Sequence, residues 1–405
     1  MVCKALSLKF AKYFSRFALE TMVKQAETLK TACFPIVQRL TCKYKNDLES
    51  FGTEREASMA TIREISERTG VSIATVSKVL NDKHGVNAET RQLVMEAARE
   101  LNYRPNLNAR YLKSGRSQTL GIVTEDLTVF NAPEIVDGIA AACDEAGYHY
   151  ILGNLRFFKR YGNGPKDLEE STELVHGVVD EMLSKQVDGI IYIGCHSHVV
   201  VSLSNHPEPQ FVCAYCTSLD SSIPSVIYDD KKAAFEATER LIRAGGRVIG
   251  MIAGPADSSH SYNRTRGHQE ALFAHKVPYN PSLTLVGDWG RDCGYTLGEQ
   301  LIKSGATAIF AHNDLMATGV IDYCNANGIE VGKDILLIGF DNREISTVCR
   351  PQLSTVALPL FEIGQKAAHI MLDILSGKGL PAEHEILLEC SIIERESSLG
   401  SGRHA

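Results

Sequence analysis

The stretch Met59-Ala-Thr-Ile-Arg-Glu-Ile-Ser-Glu-Arg-Thr-Gly-Val-Ser-Ile-Ala-Thr-Val-Ser-Lys-Val-Leu-Asn81 decides how the rest of the chain is read. Thr61 followed three residues later by Glu64 is a capping box, so a helix starts there. Ile62 and Ile65 face inward, and Gly70 ends the helix. Val71 packs inward, and Ser72 caps a second helix over about residues 73–80. That helix presents Val76, Val79 and Leu80 to a core. Its other face carries Ala74, Thr75, Ser77 and Lys78, all small, polar or basic. Asn87 caps a third helix, in which Leu93, Val94, Ala97 and Leu101 follow a 3.6-residue period. Two helices joined by a short turn containing Gly form a helix-turn-helix pattern. Small side chains allow close approach to base edges, hydroxyls reach phosphates, and Lys78 reaches either. Spacing alone fits a generic three-helix bundle equally well.

The residues themselves are more specific. Residues 59–81, Val86-Asn-Ala-Glu-Thr-Arg91 and Leu101-Asn-Tyr-Arg-Pro-Asn106 resemble, without gaps, the amino-terminal headpiece of the lactose-repressor (LacI/GalR) family. The resemblance implies an all-α headpiece over residues 59–105. In it Ile73, Ala74 and Lys78 read bases, while Thr75, Ser77, Asn81 and Tyr103 contact the DNA backbone. Residues 106–117 carry Arg110, Lys113 and Arg116 just after Pro105, which can start a helix but not sit inside one. By the same resemblance this is a hinge helix that orders on DNA and enters the minor groove through Ala109, Arg110 and Leu112. Leu112 wedges between base pairs, at an unstacking cost offset by the contacts that bent DNA permits.

From residue 118 onward, apolar runs of strand length alternate with helical patterns. The runs fall at residues 119–124, 148–153, 189–193, 211–214, 248–253, 308–311 and 335–340. Between the first two, Ile135, Val136, Ile139, Ala140 and Cys143 mark a helix closed by Gly147. Short buried runs separated by helices predict parallel sheets in βαβ units. No phosphate-binding or dinucleotide glycine motif, no G-x-S-x-G and no H-E-x-x-H is present, so no enzyme and no cofactor is expected.

Val226-Ile-Tyr-Asp-Asp230, Arg247-Val-Ile-Gly-Met-Ile-Ala-Gly-Pro255, Arg264-Thr-Arg-Gly-His268 and Gly287-Asp-Trp289 extend the resemblance into this body. Ala311-His-Asn-Asp-Leu-Met-Ala317, Leu337-Ile-Gly-Phe-Asp341 and Ile393-Glu-Arg-Glu396 continue it, so that it spans about residues 59–400. It implies a two-subdomain α/β core like the type I periplasmic binding proteins, with effector bound between the subdomains. The expected boundaries are 118–229 with 358–387 for subdomain 1, and 230–357 with 388–400 for subdomain 2. Arg264 matches an arginine that binds ligand hydroxyls or carboxylates. Trp289 matches an aromatic platform for a sugar, and Asn313 and Asp341 match polar groups at strand ends. Phe130 and Asn131 are further candidates for the pocket wall. An aromatic face for the ring and polar groups for the hydroxyls suit a sugar. Where some sugar-binding members carry an acidic residue, this chain has Cys216-Thr217, which leaves the sugar unnamed.

Composition sharpens the division. The chain of 405 residues has a net charge of −7, which is unlike a nucleic-acid binder. Residues 1–58 and 59–117 each carry +4, and residues 118–405 carry −15. The eleven cysteines are odd in number and irregular in spacing, as in a reducing compartment. Cys213 and Cys216 lack a second ligand pair, and His196 and His198 lack a partner cluster, so no metal site is expected. Residues 1–58 place Leu6, Phe10, Tyr13, Phe14 and Phe17 at helical spacing. They read as an unassigned extension ahead of a start at Met59.

The expectation is therefore a cytoplasmic, sequence-specific DNA-binding repressor with no membrane role. Its affinity for a pseudo-palindromic double-stranded operator is set allosterically by a small molecule, a sugar by default. Without a leucine-heptad tail it is expected to be a homodimer. A solute-binding receptor or an α/β sugar-metabolising enzyme shares such a body but leaves the headpiece unexplained.

Overall fold

The computed structural model describes residues 60–80, 82, 84–103, 116–162, 168–196, 198–203 and 210–399. The chain divides into two units, Met1–Asn106 and Leu107–Ala405.

In the first unit the predicted local signals are all present. Thr61 caps the helix Ile62–Thr69 in a capping box with Glu64, and Gly70 closes it in the left-handed region at φ 69°. Ser72 Oγ accepts from Thr75 N at 3.2 Å and starts the helix Ile73–Leu80. Asn87 Oδ1 accepts from Thr90 N at 2.8 Å and starts the helix Ala88–Glu100. The three helices enclose Ile65, Val76, Val79, Val94, Ala97 and Ala98, with Leu101 and Tyr103 packed at the margin. Leu93 departs from expectation. The last helix turns Val94 and Ala98 inward, which leaves Leu93 47% exposed.

The second unit holds two six-stranded sheets. Its strands are β1 (Thr119–Thr124), β2 (His149–Asn154), β3 (Gly189–Ile193), β4 (Val199–Val200), β5 (Gln210–Ala214), β6 (Thr217–Ser218) and β7 (Ser225–Tyr228). They continue with β8 (Ile249–Ala253), β9 (Thr284–Val286), β10 (Ala308–Ala311), β11 (Leu336–Asp341), β12 (Ser354–Ala357), β13 (Glu385–Leu388) and β14 (Ser391–Ile393). One sheet has the order β13-β7-β5-β3-β1-β2 and the other β14-β12-β11-β10-β8-β9, while β4 and β6 pair separately. All pairs in the large sheets are parallel except β12 with β14. The chain passes between the sheets three times: after Tyr228, after Ala357 and after Leu388.

Both faces of each sheet are covered, which explains why the central strands read as continuous apolar runs. In β10, Ala308 and Phe310 face a core shared with β1 and β11, whereas Ile309 and Ala311 face the opposite layer. β3 alternates in the same way, with Ile191 and Ile193 on one face and Ile190 and Tyr192 on the other.

Three pairs of covering helices approach each other most closely at glycines. A Cβ on Gly138 (helix Ala132–Ala146) would lie 2.0 Å from the Phe361 carbonyl oxygen, and one on Gly364 (helix Leu360–Leu375) 2.0 Å from that of Ile135. Gly267 brings the helix Ser259–Ala274 against Lys231 of the helix Asp230–Arg243 in the same manner. Gly294 and Gly319 join the helices Arg291–Lys303 and Asp314–Ala326. Only glycine permits backbones to approach this closely. Among the described residues no helix is long and apolar enough to cross a membrane.

Candidate operator interface and effector cleft

In the first unit the helix Ile73–Leu80 buries Val76 and Val79 and presents Ile73, Ala74 and Lys78 to solvent. Ile73 is 53% exposed, an apolar side chain with no role in the headpiece core. Thr75 and Ser77 are half-buried beside this face. The helix carries no acidic residue, and its amino-terminal N–H groups favour a phosphate. Tyr103 is half-buried against the core, and burial raises the pKa of its phenol. Asn81, Ala109, Arg110 and Leu112 lie outside the described residues. Where the linker joins the second unit, Asp188 accepts from Ser117 N at 2.8 Å, Ser117 Oγ at 3.0 Å and Gln118 N at 2.8 Å.

In the second unit the carboxyl ends of parallel strands form the crevice where such folds bind ligands. Arg264 sits there, 2% exposed, with its guanidinium 3.6 Å from the centre of the Phe340 ring and 6.0 Å from that of Trp289. Its Nε donates to Asp230 Oδ1 at 2.7 Å, its Nη2 to Tyr228 Oη at 2.9 Å, and its Nη1 to the His312 carbonyl. Asp341 Oδ1 lies 3.9 Å away. Three of the five Arg264 N–H donors are engaged in this way. Burial opposes the charge on Arg264, but Tyr228, Asp230 and Asp341 outweigh it and raise its pKa.

The two carboxyls around Arg264 differ. Burial would push Asp230 up, but His260 at 2.6 Å and Arg264 hold it below the usual range. Burial pushes Asp341 up to about 8, because Arg264 only partly offsets it. The cleft thus pairs an ionised carboxylate with one that is protonated near neutrality. Residues from both sheets meet around them. Tyr228 Oη is 3.0 Å from His260 Nδ1, Tyr215 and Tyr228 pack at 5.5 Å between ring centres, and Arg343 lies 5.1 Å from the Phe130 ring.

The expected site residues divide on this geometry. Arg264, Trp289 and Asp341 come together, and Phe130 lies across from Arg343. Asn313 has another task. Its Oδ1 caps the helix Asp314–Ala326, and its Nδ2 donates to the Trp289 carbonyl at 3.0 Å. That bond supports Trp289 at φ 71°, a left-handed conformation costly for a side-chain-bearing residue. Asn131 is fully buried; its Nδ2 donates to the Gly194 carbonyl at 3.0 Å, and its Oδ1 finds no hydrogen-bond partner among the described residues. Reading the sequence missed Tyr228, Asp230 and His260. The motif Val226–Asp230 was visible, but nothing in it points to a partner 34 residues away.

A second polar cluster lies at the ends of β1 and β3. Glu125, 1% exposed, accepts from Tyr192 Oη at 2.8 Å and from Cys195 N at 2.7 Å. His198 Nε2 is 3.0 Å from Glu125 Oε1, and the His196 and His198 rings are 4.8 Å apart. Burial alone would raise Glu125, but His198 and the hydrogen bonds hold it near 2. Burial would lower His198, but Glu125 lifts it to about 9, whereas burial takes His196 down to about 4. His198 therefore has a carboxylate partner that the sequence reading did not find, while His196 Nδ1 lies 3.1 Å from Cys195 Sγ.

The profile of bacterial regulatory proteins of the lacI family matches residues 61–106, and that of a periplasmic binding protein-like domain matches residues 238–398. Catabolite control protein A of Priestia megaterium is 34% identical over 321 residues, which covers 78% of this chain and 92% of that protein. The transcriptional repressor CytR of Escherichia coli is 29% identical over 348 residues, covering 85% and 98%. The lac repressor dimer solved with operator and the anti-inducer ONPF superposes with a TM-score of 0.66 at 25% identity, covering 84% of this chain and 100% of that one. The regulator CelR in complex with cellobiose gives a TM-score of 0.55 at 25% identity, covering 84% and 99%. With this architecture, and with the headpiece and the core each matched, the chain belongs to the LacI family of bacterial regulatory proteins: it is a DNA-binding transcriptional regulator and not an enzyme.

Proposed function

We propose that the chain is a cytoplasmic repressor that binds a pseudo-palindromic operator as a homodimer and is released by a sugar. One observation carries this reading. The same chain holds an exposed, acid-free helix bearing Ile73, Ala74 and Lys78, and a ligand crevice built around Arg264. In this reading Ile73, Ala74 and Lys78 read bases, and Thr75, Ser77, Asn81 and Tyr103 grip the backbone. Ala109, Arg110 and Leu112 enter the minor groove. Trp289 stacks on the sugar ring, while Arg264 and Asp341 sort its hydroxyls. Phe130 closes the wall, and Asn313 positions Trp289. The cellobiose complex of CelR supports a sugar ligand. The headpiece spans residues 59–105 and the hinge 106–117. The crossings of the chain at 229, 357 and 388 divide the effector core.

Mechanistically, sugar between the two halves changes their relative disposition and with it the ordering of paired hinges on DNA. Only a ligand that binds the two states unequally can do this. The test is fluorescence anisotropy with operator DNA over a salt series, repeated with sugars that raise thermal stability. The expected result is a steep linear fall of log affinity with log salt, and release by at least one sugar. Leu112→Ala is expected to weaken specific binding far more than non-specific binding. Equal loss in both refutes the wedge, and binding without salt dependence refutes the operator reading.

A further inference from the structure

The cluster at the ends of β1 and β3 is a set of ligands as well as an ion pair. Glu125, His196 and His198 each offer one donor atom, and all three atoms lie within 4.8 Å of one another. Two imidazoles and a carboxylate are a donor set that zinc and its neighbours in the first transition series accept, with a fourth position left open. We propose that these three residues bind one divalent transition-metal ion of the zinc class, a role separate from operator and sugar binding.

Three features of the geometry support the site. His198 Nδ1 lies 2.8 Å from the His196 carbonyl, which fixes the ring and leaves Nε2 aimed at Glu125. This is the outer-shell arrangement that orients metal-binding histidines. Glu125 is held from behind by Tyr192 Oη and Cys195 N, so its carboxylate is placed before any ion arrives. The His198 side chain is 31% exposed, which gives an ion a path from solvent to a buried carboxylate. The ion takes the place of the proton between His198 Nε2 and Glu125 Oε1, and that proton leaves to solvent. Because the three ligands come from two loops, the ion would tie the end of β1 to the segment after β3. The open position belongs to water.

The test uses the full chain, stripped with a chelator, dialysed, and titrated with Zn²⁺ by calorimetry and with Co²⁺ by absorption. One equivalent is expected to bind, with cobalt bands of a nitrogen and oxygen site. His196→Ala leaves the Glu125–His198 pair intact and is expected to weaken binding at least about tenfold. His198→Ala should do the same, with circular dichroism as the check on folding. Absence of binding to the wild type overturns the site, as does unchanged affinity in His196→Ala. A strong thiolate charge-transfer band assigns the ion to cysteine and overturns it too.

Discussion

Arg264→Met tests how the crevice is held together before any effector is considered. The substitution keeps length and apolar contact with Phe340 but removes the charge. Arg264 and Asp230 have side chains only 3% and 7% exposed, so the lost partner is not replaced by water. Asp230 keeps His260, while Tyr228 Oη and the His312 carbonyl each lose a donor. Breaking one side of such a pair costs about 3–5 kcal/mol, because the other charge stays buried. For a unit of this size about 1 kcal/mol corresponds to about 2 °C, so the melting temperature should fall by about 6–10 °C. Differential scanning calorimetry reads this directly. Adding Asp230→Asn should recover part of the loss, since it removes the stranded charge. A fall of less than about 2 °C, or a double variant that simply adds two losses, would refute the reasoning. The double variant also separates two explanations for a blind sensor. If stability returns and sugar response does not, while Asp230→Asn alone still responds, the guanidinium itself contacts the ligand.

Three further outcomes are expected. Gly364→Ala places a methyl 2.0 Å from a backbone oxygen, so the helices must separate; a loss of about 3 kcal/mol in urea unfolding is expected, against the small gain an open helix position would show. Asp341 has its pKa raised from 3.8 to about 8, so the folded state holds a proton that the unfolded chain has released. Its contribution is present below the unfolded value and is lost as pH rises through about 8, by up to about 1.4 kcal/mol per pH unit; Asp341→Asn should flatten the urea midpoint over that window. Gly254→Ala would put a Cβ 2.1 Å from the Trp289 ring, the only tryptophan in the chain, so its emission should shift and sugar affinity fall while operator binding holds.

The headpiece was legible because its signals are local. Thr61 with Glu64, Gly70, Ser72 and Asn87 each act within three or four residues of their own backbone. The central strands were legible because burial on both faces leaves uninterrupted apolar runs. The edge strands β13 and β14 were not, since Glu385–Leu388 and Ser391–Ile393 are half exposed and only four and three residues long. Leu93 misled because a helical period leaves a face uncertain by one residue. In the crevice Arg264, Trp289 and Asp341 were found by resemblance alone. Asp230, Tyr228 and Glu125 could not be, since their environment is made by partners 34, 36 and 73 residues distant. Asn131 and Asn313 have side chains that suit a pocket wall, and only the fold reveals that the Asn313 amide is engaged at both ends while Asn131 engages through Nδ2 alone.

The glycine-mediated helix pairs bear on how a signal can travel. Backbones in van der Waals contact cannot slide without breaking that contact, so the helices of each pair shift together with the sheet they cover. Compliance is then concentrated in the three connecting segments after Tyr228, Ala357 and Leu388. A ligand held between the sheets is therefore expected to act by rotating two stiff plates, one of which grips Ser117 and Gln118 through Asp188.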